Sequence, residues 1–298
     1  MPCLIGQTLI ALREGFEAAL ITSIIIAYLT RLNRKDLTKQ VWIGAYLSLA
    51  LSVLLGAAIW FTYGAIPKST QVLFEGVAAW IAVIVLTSMI YWMASKGRRL
   101  KEEIEHKINQ IMHKEVVATF GSGSSTYLIR TSTLAFAALS FVVVFREGLE
   151  TVLFLTPFLL SSVFETLAGA AAGIGVAFLL SYLIFKVGMK LNLRRFFYYT
   201  SILLTLLAAG LAGYGTHELL EYSKSVGLDL GWLSKNAYAL NIPDDSILHH
   251  KGAIGSIFAV MFGYTIKAEW LRVFVHLIYL AVTLPLILYA YSNKRSSN

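Results

Sequence analysis

The sequence predicts an all-α protein that crosses a membrane several times. Of its 298 residues, 57% are hydrophobic and only 14% are charged, and the mean hydropathy is +0.68. Soluble globular domains contain about 25% charged residues, so this composition excludes a soluble domain. The apolar residues also fall in separate runs of about twenty, the length that a helix needs to cross a hydrocarbon core of about 30 Å.

Seven such runs follow one another along the chain, and each predicts one transmembrane helix. They lie near residues 4–30, 41–64, 72–95, 134–158, 165–187, 198–220 and 270–292. The polar stretches between them predict the loops.

The runs divide the chain into five regions. We expect residues 1–95 and residues 134–221 to form two copies of one three-helix unit, and residues 270–298 to hold a seventh helix and a cytoplasmic tail. Between the two units, residues 96–133 combine an apolar stripe at helical spacing with mixed charge, which predicts a cytoplasmic amphipathic helix and a linker. Residues 222–269 are expected to form an outer loop.

Basic residues are concentrated in every second loop, which predicts the orientation of the chain. Residues 31–39, 96–130 and 186–195 are rich in lysine and arginine, whereas the loops between them are not. Because cytoplasmic loops contain the basic excess, the N-terminus should lie outside and the C-terminus inside. The second three-helix unit then enters the membrane from the opposite side, as an inverted repeat. The net charge of +8 reflects this topology, and we expect no nucleic-acid partner.

Two similar polar motifs interrupt the apolar runs, REGFE in the first run and REGLE in the fourth. Glu14 and Glu17 are three residues apart, as are Glu147 and Glu150, so each pair projects from one face of its helix. Both motifs lie near the middle of a run, close to the expected bilayer midplane. Inverted-repeat transporters place their substrate sites there, at the interface between the repeats.

The remaining motif residues indicate how these carboxylates would be held. Arg13 and Arg146 each lie four residues before a glutamate and can neutralise part of the acidic charge. Gly15 and Gly148 would let the two motif helices approach closely and cross. Four glutamates and two arginines leave about two negative charges, which a multivalent cation would neutralise. With Cys3 as the single cysteine, oxygen ligands favour a hard ion but do not choose among iron, manganese, magnesium and calcium.

Two REGxE motifs in helices one and four of a seven-helix chain resemble the iron permease family, which includes the fungal high-affinity iron permease and the bacterial Efe-system iron permease. The resemblance implies that Glu14, Glu17, Glu147 and Glu150 handle iron. It also implies iron as a transported substrate, no permanently bound cofactor, and a site in the cytoplasmic membrane. Besides membrane lipid, the implied partner is an extracytoplasmic oxidase or iron-delivery protein. Two alternatives remain: a permease for lead or another divalent metal, and structural ion pairs that hold helices together.

A second polar group is predicted near the outer membrane surface. Glu75 lies near the start of helix three, and His217, Glu218 and Glu221 lie near the end of helix six. We expect them to flank an entrance or form a second metal site; the alternatives are an interfacial carboxylate and a hydrated helix end. The HELLE sequence is also similar to the HExxH signature of zinc proteases. Because Glu221 stands where the second histidine belongs, we expect no enzyme.

Overall fold

The computed structural model describes residues 4–96, 104–111, 125–185, 192–228, 230–243, 246–249 and 253–292. The helices are α1 (Leu4–Arg31), α2 (Thr38–Ala65), α3 (Lys68–Lys96), α4 (Ser125–Ser161), α5 (Val163–Phe185), α6 (Leu193–Ser225), α7 (Ala253–Phe262) and α8 (Trp270–Ser292). Two short strands, β1 (Asn236–Ala239) and β2 (Lys267–Glu269), pair antiparallel. Two 3-10 turns occur at Lys35–Leu37 and Gly231–Ser234.

Each of the seven predicted apolar runs coincides with a helix, apart from the last two residues of the fifth run, which lie outside the described residues. Five of these helices, α2, α3, α5, α6 and α8, are long and apolar enough to cross a membrane. The other two, α1 with 28 residues and α4 with 37, contain the charged motifs. The chain is therefore an all-α, multi-pass membrane protein.

The helices pack in reciprocal pairs. Helix α1 packs mainly against α5, α2 mainly against α4, and α3 mainly against α6. Thus the first helix of each predicted unit contacts the second helix of the other, and the two third helices contact each other. This exchange is the pattern that a two-fold relationship between two three-helix units produces. Helix α8 lies against α6 and, to a smaller extent, α3.

Small residues allow these pairs to approach closely. A Cβ atom added at Gly44 of α2 would lie 3.0 Å from the backbone nitrogen of Phe141 in α4. A Cβ atom added at Gly173 of α5 would lie 2.7 Å from the backbone nitrogen of Leu12 in α1. Helix association in membranes depends on such close backbone packing, because burial from water contributes little there.

The largest buried cluster joins α3, α4 and α6 with the start of α1. It includes Ile10, Leu86, Phe154 and Leu207, all fully or almost fully buried. This cluster packs α3 against α6. Both motif helices, α1 and α4, contribute side chains to it.

The predicted cytoplasmic helix is only partly described, because residues 97–103 and 112–124 lie outside the described residues. Residues 104–111 are helical, and Ile104 and Ile108 are buried with Leu29 and Phe136. The apolar stripe therefore packs against the ends of the membrane helices. The ends of α1, α2 and α4 offer it an apolar surface of the protein itself.

The predicted outer loop contains regular structure. Within residues 222–269, the chain forms the ten-residue helix α7 and the two-stranded sheet, in which Asn236 pairs with Glu269. The pairing brings the residues just after α6 next to the start of α8. The sequence analysis did not predict these elements, since strands of three and four residues and one short helix leave almost no periodic signal.

Candidate functional site

The two motifs bring three carboxylates together inside the helix bundle. One oxygen of Glu14, one of Glu147 and one of Glu150 all lie within 4.8 Å of one another. Helical spacing places the two α4 glutamates on the same face, and the contact between α1 and α4 adds the third. The sequence therefore identified residues that converge in the fold, although it included Glu17 on equal terms.

The first motif is fully enclosed by protein. Arg13 donates from Nη1 to both carboxylate oxygens of Glu14, at 2.8 Å each. Its Nη2 lies 3.1 Å from Oε1 of Glu17, an ion pair whose atoms are not aligned as a hydrogen bond. Phe16 is also buried, and its ring centroid lies 4.6 Å from that of Phe196 in α6. Packing and charge together fix this part of α1.

The second motif has the same order of residues in a more open setting. Arg146 donates from Nε to Oε1 of Glu150 at 2.9 Å, and the same nitrogen lies 3.9 Å from Glu147. Its guanidinium carbon is 4.9 Å from the ring centroid of Trp92 in α3, a cation–π contact. Arg146 therefore favours one glutamate of its pair and leaves the other weakly compensated.

Several carboxylate oxygens in this group have no hydrogen-bond donor among the described residues. They are Oε1 of Glu17 and the Oε2 atoms of Glu147 and Glu150, and all three are buried. An unpaired anionic oxygen is costly inside a membrane protein unless a cation or a proton compensates it. Three converging carboxylates, of which Glu147 and Glu150 each keep an open oxygen, fit a hard metal ion held by oxygen ligands.

The motif glycines do not face each other. A Cβ atom at Gly15 would lie 3.3 Å from Cβ of Ala177 in α5, and one at Gly148 would clash with the Ser52 side chain of α2. The expectation that the motif helices cross at these glycines was therefore wrong. Gly15 allows close packing of α1 on α5, and Gly148 allows close packing of α4 on α2. The carboxylate faces of α1 and α4 remain turned toward each other.

Glu75 is held by two tyrosines that the sequence analysis did not include. Tyr63 at the end of α2 donates to one carboxylate oxygen of Glu75, and Tyr214 of α6 donates to the other. The three side chains connect the two predicted three-helix units. No spacing rule identifies such partners, because they come from three different helices.

The polar residues at the end of α6 form a separate cluster with a residue from β2. His217 and Glu221, one turn apart, approach to 4.0 Å, so they share a face as expected. Nδ1 of His217 lies 2.9 Å from Oε1 of Glu269, which the sequence analysis missed. Burial acts to raise the pKa of Glu269, but its hydrogen bonds and the neighbouring His217 outweigh burial and lower that pKa below its ordinary value. Glu218 lies on the same turn of α6.

Fold and site together define a class: a multi-pass α-helical membrane protein whose bundle encloses a cluster of carboxylates. The chain matches the sequence model of the iron permease FTR1 family over residues 4–289. The chain therefore belongs to the iron permease FTR1 family, a family of transporters.

Several curated proteins are similar to this chain over nearly its whole length. A protein of Archaeoglobus fulgidus described as uncharacterized is 42% identical, with 95% of this chain and 94% of that protein covered. The ferrous iron permease EfeU of Escherichia coli O6:H1 is 34% identical, with 91% of each covered. The ferrous iron permease EfeU of Yersinia pestis is also 34% identical, with 93% and 91% covered. No solved structure matches the chain.

Proposed function

We propose that this protein imports iron across the cytoplasmic membrane, through a site near the bilayer midplane built from the two REGxE motifs. The observation that supports this most directly is the convergence of Glu14, Glu147 and Glu150 from two helices within 4.8 Å. The family supplies the metal and the transport reaction, since the geometry by itself favours only a hard cation.

The proposed topology has seven transmembrane helices, with the N-terminus outside and the C-terminus inside. Helices α1 and α4 join the five apolar spans, and their motif glutamates face the interior of the bundle. The reciprocal packing of α1 on α5, α2 on α4 and α3 on α6 supports an inverted repeat of three helices plus α8. In such proteins the substrate site lies between the repeats, where motion of one repeat exposes it to alternate sides.

Charge balance supports a multivalent ion as the substrate. Four motif glutamates and two motif arginines leave about two negative charges, which matches a divalent ion. Two similar proteins are described as ferrous iron permeases, so ferrous iron is the first ion to test. Iron is then cargo, not a resident cofactor, and the protein is a permease and not an enzyme.

We place the outer entrance at the tyrosine-bound Glu75 and the end of α6, where His217, Glu218 and Glu221 lie. Among these groups, Glu221 is the most exposed, with 61% of its side chain accessible, and it is suited to first capture. The inner exit would pass Arg146, because this arginine is half-exposed and lies beside Trp92 near the end of α3. An extracytoplasmic oxidase or iron-delivery protein would supply the ion.

Uptake of radioactive iron into proteoliposomes tests the proposal. Ferrous and ferric ions are supplied separately to wild type, Glu14→Gln and Glu147→Gln, which keep side-chain size but remove charge. Both variants should lose most uptake, because each removes one of three converging ligands. Glu165→Gln, a change in the first turn of α5 outside both motifs, serves as the matched control and should transport normally.

Two outcomes would contradict the proposal in different ways. If both motif variants fold and transport like wild type, the glutamates are structural ion pairs. If wild type carries no iron but transports lead or another divalent metal in the same vesicles, the site is correct and its metal is wrong. Competition of each metal against labelled iron separates these cases.

A further inference from the structure

A cavity of about 330 Å³ lies beside the end of α6, between α7, the two-stranded sheet and the first turns of α8. Its wall is mainly apolar and includes the aromatic residues Tyr238, Phe258, Phe262 and Tyr264. The size falls at the lower end of the range for small-molecule sites. None of the residues assigned above to the proposed iron route lines it.

Arg272 is the charged residue of this wall, and among the described residues its strongest opposite charge is Glu269, which attracts it without hydrogen-bonding to it. Its Nε atom is buried without a hydrogen bond, and no described carboxylate forms an ion pair with it. Glu269, three residues earlier, bonds to His217 instead. His276, which also lines the cavity, donates from Nδ1 to the carbonyl oxygen of Ala209 at 3.0 Å. A guanidinium whose Nε lacks a hydrogen bond, in an apolar cavity, is suited to an anion.

The cavity lies where a membrane helix begins. Arg272 is in the first turn of α8, an apolar span. Next to it, the ring of Phe274 contacts Trp232 and Trp270, with centroid distances of 6.2 and 5.7 Å. Clustered tryptophans are typical of the membrane interface, at the level of the lipid headgroups. The cavity therefore opens at the depth where lipid phosphates are found.

Helix α7 extends this surface with an apolar stripe. Ile254, Phe258 and Phe262 follow one another at four-residue spacing and are each 43–50% exposed. Phe258 and Phe262 also line the cavity. One continuous surface thus combines a cationic group, a mainly apolar cavity and an exposed apolar helix face, which matches an amphiphile with an anionic head.

We propose that this cavity binds one anionic phospholipid, with its phosphate on Arg272 and an acyl chain along the α7 stripe. The volume accommodates the headgroup and the first carbons of a chain, and the exposed stripe covers the rest. This inference does not rest on the proposed iron transport. It assigns to α7 and the β-sheet a role as a lipid-binding element at the end of the bundle.

Lipid titration followed by native mass spectrometry tests the proposal on the full chain in an uncharged detergent. Phosphatidylglycerol and phosphatidylcholine with identical acyl chains are compared. We expect one phosphatidylglycerol to bind wild type about tenfold more tightly than phosphatidylcholine, and Arg272→Gln to remove that preference. Arg195→Gln, near the start of α6, controls for general attraction between basic residues and anionic lipid and should leave the preference intact.

A second measurement keeps the test independent of the folding of Arg272→Gln. A phosphatidylglycerol with a diazirine in its acyl chain is cross-linked to wild type and to Val273→Phe, a variant that fills the cavity. Cross-links should map to α7 and the start of α8 in wild type, and decrease several-fold in the variant. The proposal would be overturned if both lipids bound equally, or if cross-links mapped elsewhere. It would also be overturned if free glycerol phosphate competed as strongly as the lipid.

Discussion

The two REGxE motifs have nearly the same sequence but lie in different environments. The side chain of Arg13 is 1% exposed, whereas that of Arg146 is 48% exposed. The fourth position shows the same contrast, because Phe16 is fully buried and Leu149 is 40% exposed. One motif is therefore built into the interior of the bundle, and the other forms an accessible edge of the same carboxylate cluster.

This difference indicates a division of roles. Arg13 uses Nη1 to bind both oxygens of Glu14 and forms an ion pair with Glu17 through Nη2, so both glutamates of the first motif contact its arginine. Arg146 binds Glu150 through one hydrogen bond, and the second motif keeps two buried oxygens without donors. We infer that the first motif is mainly a fixed anchor, and that the second provides most of the free ligand capacity and the access route.

Replacing the two arginines should reveal the largest difference in stability between the two motifs. Arg13→Gln leaves Glu14 and Glu17 buried without their cation, which should lower the free energy of unfolding by about 3–5 kcal/mol. Arg146→Gln should lower it by about 1 kcal/mol or less, because solvent screens that pair. Denaturant titration in mixed micelles measures both. Equal losses in the two variants would mean that the exposure of Arg146 has no energetic consequence. Combining Arg13→Gln with Glu14→Gln should recover part of the stability lost in Arg13→Gln alone.

Replacing the two motif glycines by alanine should also change the free energy of unfolding unequally, but by less than replacing the arginines. Gly148→Ala should destabilise by about 1–3 kcal/mol, because the new Cβ would meet Ser52 Cβ at 2.9 Å as well as its Oγ. Gly15→Ala should cost less than about 1 kcal/mol, since its nearest contact is 3.3 Å to Cβ of Ala177. Adding Ser52→Gly should relieve the first variant selectively. A loss that persists in the double variant would place the strain elsewhere.

The remaining glutamates test the division of roles in transport. Glu150→Gln should reduce iron uptake about tenfold, equivalent to about 1.4 kcal/mol, because it removes a converging ligand. Glu17→Gln should reduce uptake by a smaller factor, since Glu17 faces Arg13 and lies outside the group of three. Initial uptake rates in proteoliposomes give both values. A larger loss in Glu17→Gln would reverse the assignment of anchor and ligand.

The aromatic support of Arg146 should have the smallest effect. Trp92→Leu removes the cation–π contact and should lower the free energy of unfolding by about 0.5–1 kcal/mol through this pair. A double-mutant cycle with Arg146→Gln isolates the coupling from the lost packing of the ring. Trp42→Leu, an exposed tryptophan stacked on Tyr46, should show no coupling to Arg146. Zero coupling energy between Trp92 and Arg146 would mean that their cation–π contact does not contribute to stability.

Sequence patterns predicted the helices and the central carboxylates, because both leave periodic signals. The runs of apolar residues matched seven helices, and the spacing within REGLE placed Glu147 and Glu150 on one face. Contacts between distant segments left no such signal: Tyr214 binds Glu75, and Glu269 binds His217, across 139 and 52 residues. The sequence also gave no signal that Arg13 is buried and Arg146 is half-exposed, because burial depends on which helices cover each motif.

The reciprocal packing of the helices has a consequence for synthesis. The first three helices leave the ribosome before their main neighbours exist, because α1, α2 and α3 pack against α5, α4 and α6, respectively. The close-packing face around Gly44 therefore stays exposed to lipid or to the insertion machinery until α4 is made. Neither half therefore contains the main packing partners of its own first three helices. A chain interrupted after α3 would present three helices to the membrane without their main packing partners.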